Sequence, residues 1–89
     1  MTLTYAEENY LKAILRLSSP RDKSVSTNAI AAHLDTSAAS VTDMLKKLSE
    51  KDLITYQRYK GAQLSEDGAR IATALVRKLY TTINKPFVI

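Results

Sequence analysis

Four stretches of the chain repeat their apolar residues at helical spacing, and a stretch between the third and fourth favours strand. In the first, Tyr10, Leu11, Ile14 and Leu17 share one face. Thr4 and Glu7 have the spacing of a capping box, so a helix is predicted from Thr4 to about Ser18. SSPRDKS follows as a polar loop with Pro20 as its breaker. Val25 and Ser26 are a candidate for a very short strand. Thr27 is the predicted cap of a second, short helix with Ile30, Ala31 and Leu34 facing inward. Asp35-Thr36-Ser37 reads as a tight turn. Ser37 then caps a third helix that runs to about Glu50, with Val41, Met44, Leu45 and Leu48 as its apolar stripe.

Leu53, Ile54, Thr55, Tyr56 and Tyr59 favour strand. Lys60-Gly61 is a predicted tight turn in which Gly61 takes a positive φ, and Ala62 to Leu64 return as the second strand. Ser65 caps the last helix, where Glu66 and Asp67 suit the positive N-terminal end and Ile71, Ala72, Leu75 and Leu79 form the apolar face. Asn84 and Pro86 are predicted to stop it and to leave Phe87-Val88-Ile89 as an apolar tail. The expected organisation is one domain over residues 1–83 and a tail over 84–89. The fold class is mainly α with a small β-hairpin. Two short helices joined by so tight a turn make a helix-turn-helix. A hairpin directly after its second helix makes it a winged helix-turn-helix.

At 89 residues, with 45% hydrophobic and 25% charged side chains, the chain reads as one small globular domain. Thirteen Lys and Arg against nine Asp and Glu give a net charge of +4. That balance is compatible with a polyanion partner but does not demand one. The lack of cysteine excludes a disulfide framework and a thiolate metal site. The N-terminus has neither the basic nor the apolar region of a signal peptide. The longest apolar run, IATALV, is too short to span a bilayer, so the expectation is a cytoplasmic protein with no membrane partner.

The third helix carries the first candidate chemistry. Its N-terminal end, SAASVTD, is short and hydroxylic. One reading is that Ser37 only caps and its neighbours only face solvent. The other is that small residues let the helix approach duplex DNA closely, with Ser37, Ser40 and Thr42 bonding phosphates or bases and Asp43 accepting from a cytosine amino group. The preceding helix-turn and the following hairpin favour the second reading. On the hairpin, Arg58 and Lys60 are candidates for phosphate contact, as are Lys46, Lys47 and Lys51 late on the helix, and Arg21 and Lys23 in the first loop. No enzymatic constellation is visible. His33 is the only histidine and has no acid or nucleophile at recognisable spacing; Gly61 and Gly68 are isolated and form no phosphate loop.

The segments ENYLKAILRL, VSTNAIAAHLDTSAASVTDMLKKLSEKDLI, YQRYKGAQLSEDGARIA and ALVRK cover nearly all of residues 5–78. In that order they resemble the N-terminal domain of the diphtheria toxin repressor family of metal-dependent regulators, in its manganese-transport-regulator branch. The resemblance implies a winged-helix repressor that binds palindromic operators as a dimer. It places DNA contacts at Ser37, Ala39, Ser40, Thr42 and Asp43 of the recognition helix and at Arg58 and Lys60 of the wing. It also implies sensing of iron(II) or manganese(II), through ligands on the first helix, the last helix and a helix beyond it. At the matching positions stand Asn9, Lys12 and Leu79, and beyond Lys78 the likeness ends. The expectation is a DNA-binding regulator, and more narrowly a repressor, without the family's metal site and without its metal-sensing half. A second expectation, from another class, is a protein-interaction module that pairs with a full-length relative.

Overall fold

The computed structural model describes the backbone of residues 3–88 and the side chains of residues 3–77. Six elements follow in the order α1 (Tyr5–Leu17), α2 (Thr27–Leu34), α3 (Ala38–Glu50), β1 (Ile54–Gln57), β2 (Gly61–Leu64) and α4 (Glu66–Val88). The start of α1 is the capping box its sequence requires. The Glu7 amide donates to Thr4 Oγ1 at 3.1 Å, and the Thr4 amide donates to Glu7 Oε1 at 2.9 Å. Its inward face is Tyr10, Leu11, Ala13 and Ile14. Leu17, expected on that face, lies at the frayed end of the helix and is 37% exposed.

Chain entry into α2 differs from the sequence expectation by one residue. Val25 pairs with Ala62 through two backbone hydrogen bonds of 2.8 Å, which holds the chain extended as far as Ser26. The switch to helix therefore falls at Ser26, whose hydroxyl accepts from the Ala29 amide, and Thr27 is the first helical residue. Helix α2 closes on Asp35 in the left-handed region (φ 53°, ψ 52°), with the Thr36 amide returned to the Ala31 carbonyl. An aspartate tolerates that conformation better than most residues because its short side chain is polar. Extended Ser37 then opens α3.

The antiparallel hairpin pairs Ile54 with Leu64, Thr55 with Gln63, Tyr56 with Ala62, and Gln57 with Gly61. The loop is thus Arg58-Tyr59-Lys60, and Tyr59 is not in a strand as its residue type suggested. Gly61 is required on two grounds. Its φ is 95°, and a Cβ there would stand 2.2 Å from the Val25 carbonyl oxygen. Asn84 and Pro86 do not stop α4, whose backbone continues to Val88. Proline removes one i→i−4 hydrogen bond, that of its own missing amide, and leaves the remaining bonds of the last turn free to form. Leu79 and the side chains of the Phe87-Val88-Ile89 tail lie outside the described residues.

One core joins these elements. Leu11 and Ile14 of α1, Ile30 of α2, Val41, Leu45 and Leu48 of α3, Leu53, Ile54 and Ala62 of the hairpin, and Ala72 of α4 are all buried together. Helix α1 packs chiefly on α4 and also on α2. A charged clamp supplements the core. Buried Glu7 accepts a short hydrogen bond from the Lys51 ammonium, which ties the start of α1 to the end of α3. That bond, with the Thr4 amide behind it, holds the Glu7 carboxyl below its ordinary value of 4.5, against burial, which pushes it up.

Two expectations follow from these contacts. Gly61→Ala incurs both a positive φ and a backbone clash, so it is expected to destabilise the domain by more than about 1 kcal/mol, read as a fall of several degrees in thermal midpoint. Glu7 has a folded pKa below its unfolded one. Its contribution is therefore complete above about pH 4.5 and is lost as pH falls through the lower folded value. Acid unfolding of the wild type is expected to be steeper in that window than that of Glu7→Gln, and equal slopes would contradict the clamp.

Candidate nucleic-acid interface

Helix α3 is positioned by its buried stripe, Val41, Leu45 and Leu48. At 3.6 residues per turn the opposite side is occupied by Ala39, Asp43, Lys46, Lys47 and Glu50, all of them exposed. Ala38 and Ser40 are exposed at the N-terminal end, while Thr42 lies half-buried on the flank. The predicted positions on α3 therefore share one surface, with Thr42 at its margin.

The hydroxyls of this end are not equivalent. Ser37 Oγ accepts from the Ser40 amide at 3.1 Å and shares a hydrogen bond with Ser40 Oγ at 2.9 Å. Thr42 Oγ1 donates to the Ala38 carbonyl at 3.0 Å, which leaves it an acceptor and a methyl group for any outside partner. Ser37 and Ser40 share one hydroxyl–hydroxyl hydrogen bond, so one of the two keeps a proton to donate outward. The amides of Ala38 and Ala39 precede the first intrahelical bond, Val41 N–H to Ser37 carbonyl, and point out of the helix end. Unshielded amides and the helix dipole attract anionic oxygen.

Asp43, Lys46 and Lys47 form no ion pair with one another among the described residues. Lys47 borders a shallow depression with Thr4, Glu7, Met44, Glu50 and Lys51. Lys51 itself, one of the candidates for phosphate contact, is engaged by Glu7. Its role is to hold α3 against α1. Sequence reasoning missed this because the partners are 44 residues apart.

Strand β1 leaves α3 through Lys51-Asp52-Leu53 and packs back on it. The exit is fixed by Asp52 at φ 60° and by Ser65, whose hydroxyl donates to the Asp52 carbonyl at 2.7 Å and accepts from the Gly68 amide at 3.0 Å. The wing is thus anchored at its base to both α3 and α4. At its tip Arg58, Tyr59 and Lys60 are all exposed, and the Arg58 guanidinium stands 5.9 Å from the centre of the Tyr59 ring. Lys60 shares a polar depression on the outer face of the hairpin with Ser24, Thr55, Gln57 and Gln63. In the first loop Arg21 and Lys23 are exposed, while the Asp22 amide donates to Ser19 Oγ and Asp22 Oδ1 accepts from the Ser24 amide. Tyr59 was not among the candidates, because its β propensity placed it in the strand before the Lys60-Gly61 turn.

His33 lies exposed on α2. Asn9 and Lys12 are half-buried on α1. Among the described residues no three His, Asp or Glu side chains gather closely enough to hold a metal ion. Divalent iron or manganese needs several oxygen and nitrogen ligands in one shell, and a carboxamide beside an ammonium does not supply them. No helix among the described residues is long and apolar enough to cross a membrane.

Comparison with known proteins agrees with this geometry. A model of the "Iron dependent repressor, N-terminal DNA binding domain" matches residues 2–62. The HTH-type transcriptional regulator MntR of Shouchella clausii is 34% identical over 73 residues, which are 82% of this chain and 50% of that protein. The chain thus spans about half the length of the curated relatives it matches. Among solved structures, Lactococcus lactis ZitR in complex with DNA is 26% identical, with a TM-score of 0.73 over 96% of this chain and 58% of ZitR. MepR of Staphylococcus aureus, at 20% identity and a TM-score of 0.69 over 97% of this chain and 63% of its own, shares the winged-helix fold. With a match over more than half of its residues, this chain belongs to the iron-dependent repressor family and carries its N-terminal DNA-binding domain.

Proposed function

We propose that this chain is a sequence-specific DNA-binding regulator of transcription, a repressor that acts by occupying its operator. The observation that carries the reading is the outward side of α3. Its N-terminal end combines small exposed residues, hydroxyls and open backbone amides, and the hairpin that follows it carries two exposed cations at its tip. Ser40, Asp43 and the Thr42 flank read bases, Ser37 and Ala39 allow close approach, and Lys46, Lys47, Arg58 and Lys60 hold phosphates. ZitR, a relative in fold, has been solved on DNA, which supports the same use of this surface. The reading is of a binding protein of the cytoplasm, not an enzyme.

One domain offers few phosphate contacts, and non-specific binding alone gives a Kd of about 10⁻⁴–10⁻⁶ M. A homodimer on a palindromic operator, with half-sites separated by multiples of about one helical turn, supplies the missing affinity. Binding in this chain is independent of iron and manganese, since Asn9 and Lys12 stand at the ligand positions of α1.

The test is duplex binding measured across salt concentration, with manganese and with a chelator. Affinity is expected to fall by orders of magnitude between low and moderate salt and to be the same with metal or chelator. Arg58→Ala is expected to weaken binding to all sequences and to lower the salt slope by about one, while Ser40→Ala or Asp43→Ala changes preference among sequences. Absence of duplex binding at low salt would overturn the reading in favour of a module that pairs with a full-length relative. Manganese-dependent binding would overturn the metal-independent part of it.

A further inference from the structure

Tyr59 is the most exposed of the large hydrophobic side chains described, at 93%, against 77% for Tyr5 and 37% for Leu17. It adds nothing to the core. An aromatic ring left in water gains no burial energy, and its place is better filled, for folding alone, by a small polar residue. The backbone that carries the ring is nonetheless well fixed. The three-residue loop that carries it is closed by the Lys60 amide on the Gln57 carbonyl at 3.1 Å. The loop base is fixed by Gly61, which lies too close to the Val25 carbonyl to admit a Cβ, and by the paired backbones of Val25 and Ala62. The Arg58 guanidinium stands 5.9 Å from the ring centre, at the outer reach of attraction to its negative face. Lys60 follows directly on the other side in sequence. The tip therefore alternates cation, ring, cation on a rigid support.

That alternation matches a strand of nucleic acid, in which apolar deoxyribose alternates with anionic phosphate. We propose that Tyr59 is a duplex-contact residue whose ring packs against deoxyribose while Arg58 and Lys60 engage the phosphates on either side. The ring supplies contact area with only two torsions to immobilise, on a loop already ordered before binding. Since every nucleotide carries a deoxyribose, this contact adds affinity without reading sequence, and it does not require the operator to be known. It rests on the DNA-binding reading above.

The experiment measures the affinity of wild type, Tyr59→Ala, Tyr59→Phe and Arg58→Ala for a labelled duplex of mixed sequence across salt concentration. Tyr59→Ala is expected to lose about five- to twentyfold, in the lower part of the range for aromatic contacts to nucleic acid, with an unchanged salt slope because no charge is removed. Tyr59→Phe keeps the ring and is expected to bind within about twofold of wild type. Arg58→Ala lowers the slope by about one. Wild-type affinity in Tyr59→Ala, with the wild type binding normally, would overturn this proposal alone. A reduced slope in Tyr59→Ala equal to that of Arg58→Ala would also overturn it, since the ring would then act only through Arg58. No binding by the wild type at low salt would overturn the DNA-binding reading and this proposal together. The ring is exposed, so thermal midpoints are expected to be equal, and a binding loss accompanied by a lowered midpoint would count against direct contact.

Discussion

The outward side of α3 is defined by the burial of its inward side. Val41, Leu45 and Leu48 have no exposure, and each is worth about 1.5–3 kcal/mol in burial, so a rotation of the helix about its axis is strongly opposed. Both ends are fixed as well. At the N-terminal end, left-handed Asp35 and capping Ser37 leave only a three-residue connection to α2. At the C-terminal end, Lys51 is held by Glu7 of α1, and Asp52 is held by the hydroxyl of Ser65. What the helix presents to a partner is thus set by contacts on the side no partner touches.

The same construction divides labour among residues that look alike in sequence. Ser37 caps the helix and pairs with the Ser40 hydroxyl, whereas Thr42 spends its proton on the Ala38 carbonyl. Among the lysines, Lys46 and Lys47 remain outward and Lys51 becomes structural. Desolvating Glu7 is costly, and the cost is offset by two partners on its two oxygens, the Thr4 amide and the Lys51 ammonium. Removing Lys51 would leave the buried Glu7 charge without its partner, and removing either residue would loosen the end of α3.

Much of this was legible in the sequence because it is local. The capping box at Thr4 and Glu7, the caps at Ser37 and Ser65, and the positive φ of Gly61 each depend on residues within a few positions. The features that were not legible depend on contacts between distant segments. Ser26 rather than Thr27 caps α2 because Val25 is drawn into pairing with Ala62. Lys51 is bound by a residue near the other end of the domain. Tyr59 has the propensity of a strand residue, yet pairing ends at Gln57 and Gly61, and the ring is carried out to the loop. The stop predicted at Asn84 and Pro86 gave too much weight to a proline that sits within the last turn of α4. For the interface, the α3 positions were suggested by their residue types and by the family resemblance, and the aromatic tip of the wing only by its exposure.

The central claim is that α3 and the wing tip form one surface for duplex DNA. Its most direct test is a map of backbone amide shifts by NMR as duplex is added to the chain. The account predicts the largest changes at residues 37–47 and 58–60, with small ones on the side of α1 that packs against α4. Changes concentrated on α1 and α4, with α3 and the wing unmoved, would contradict it.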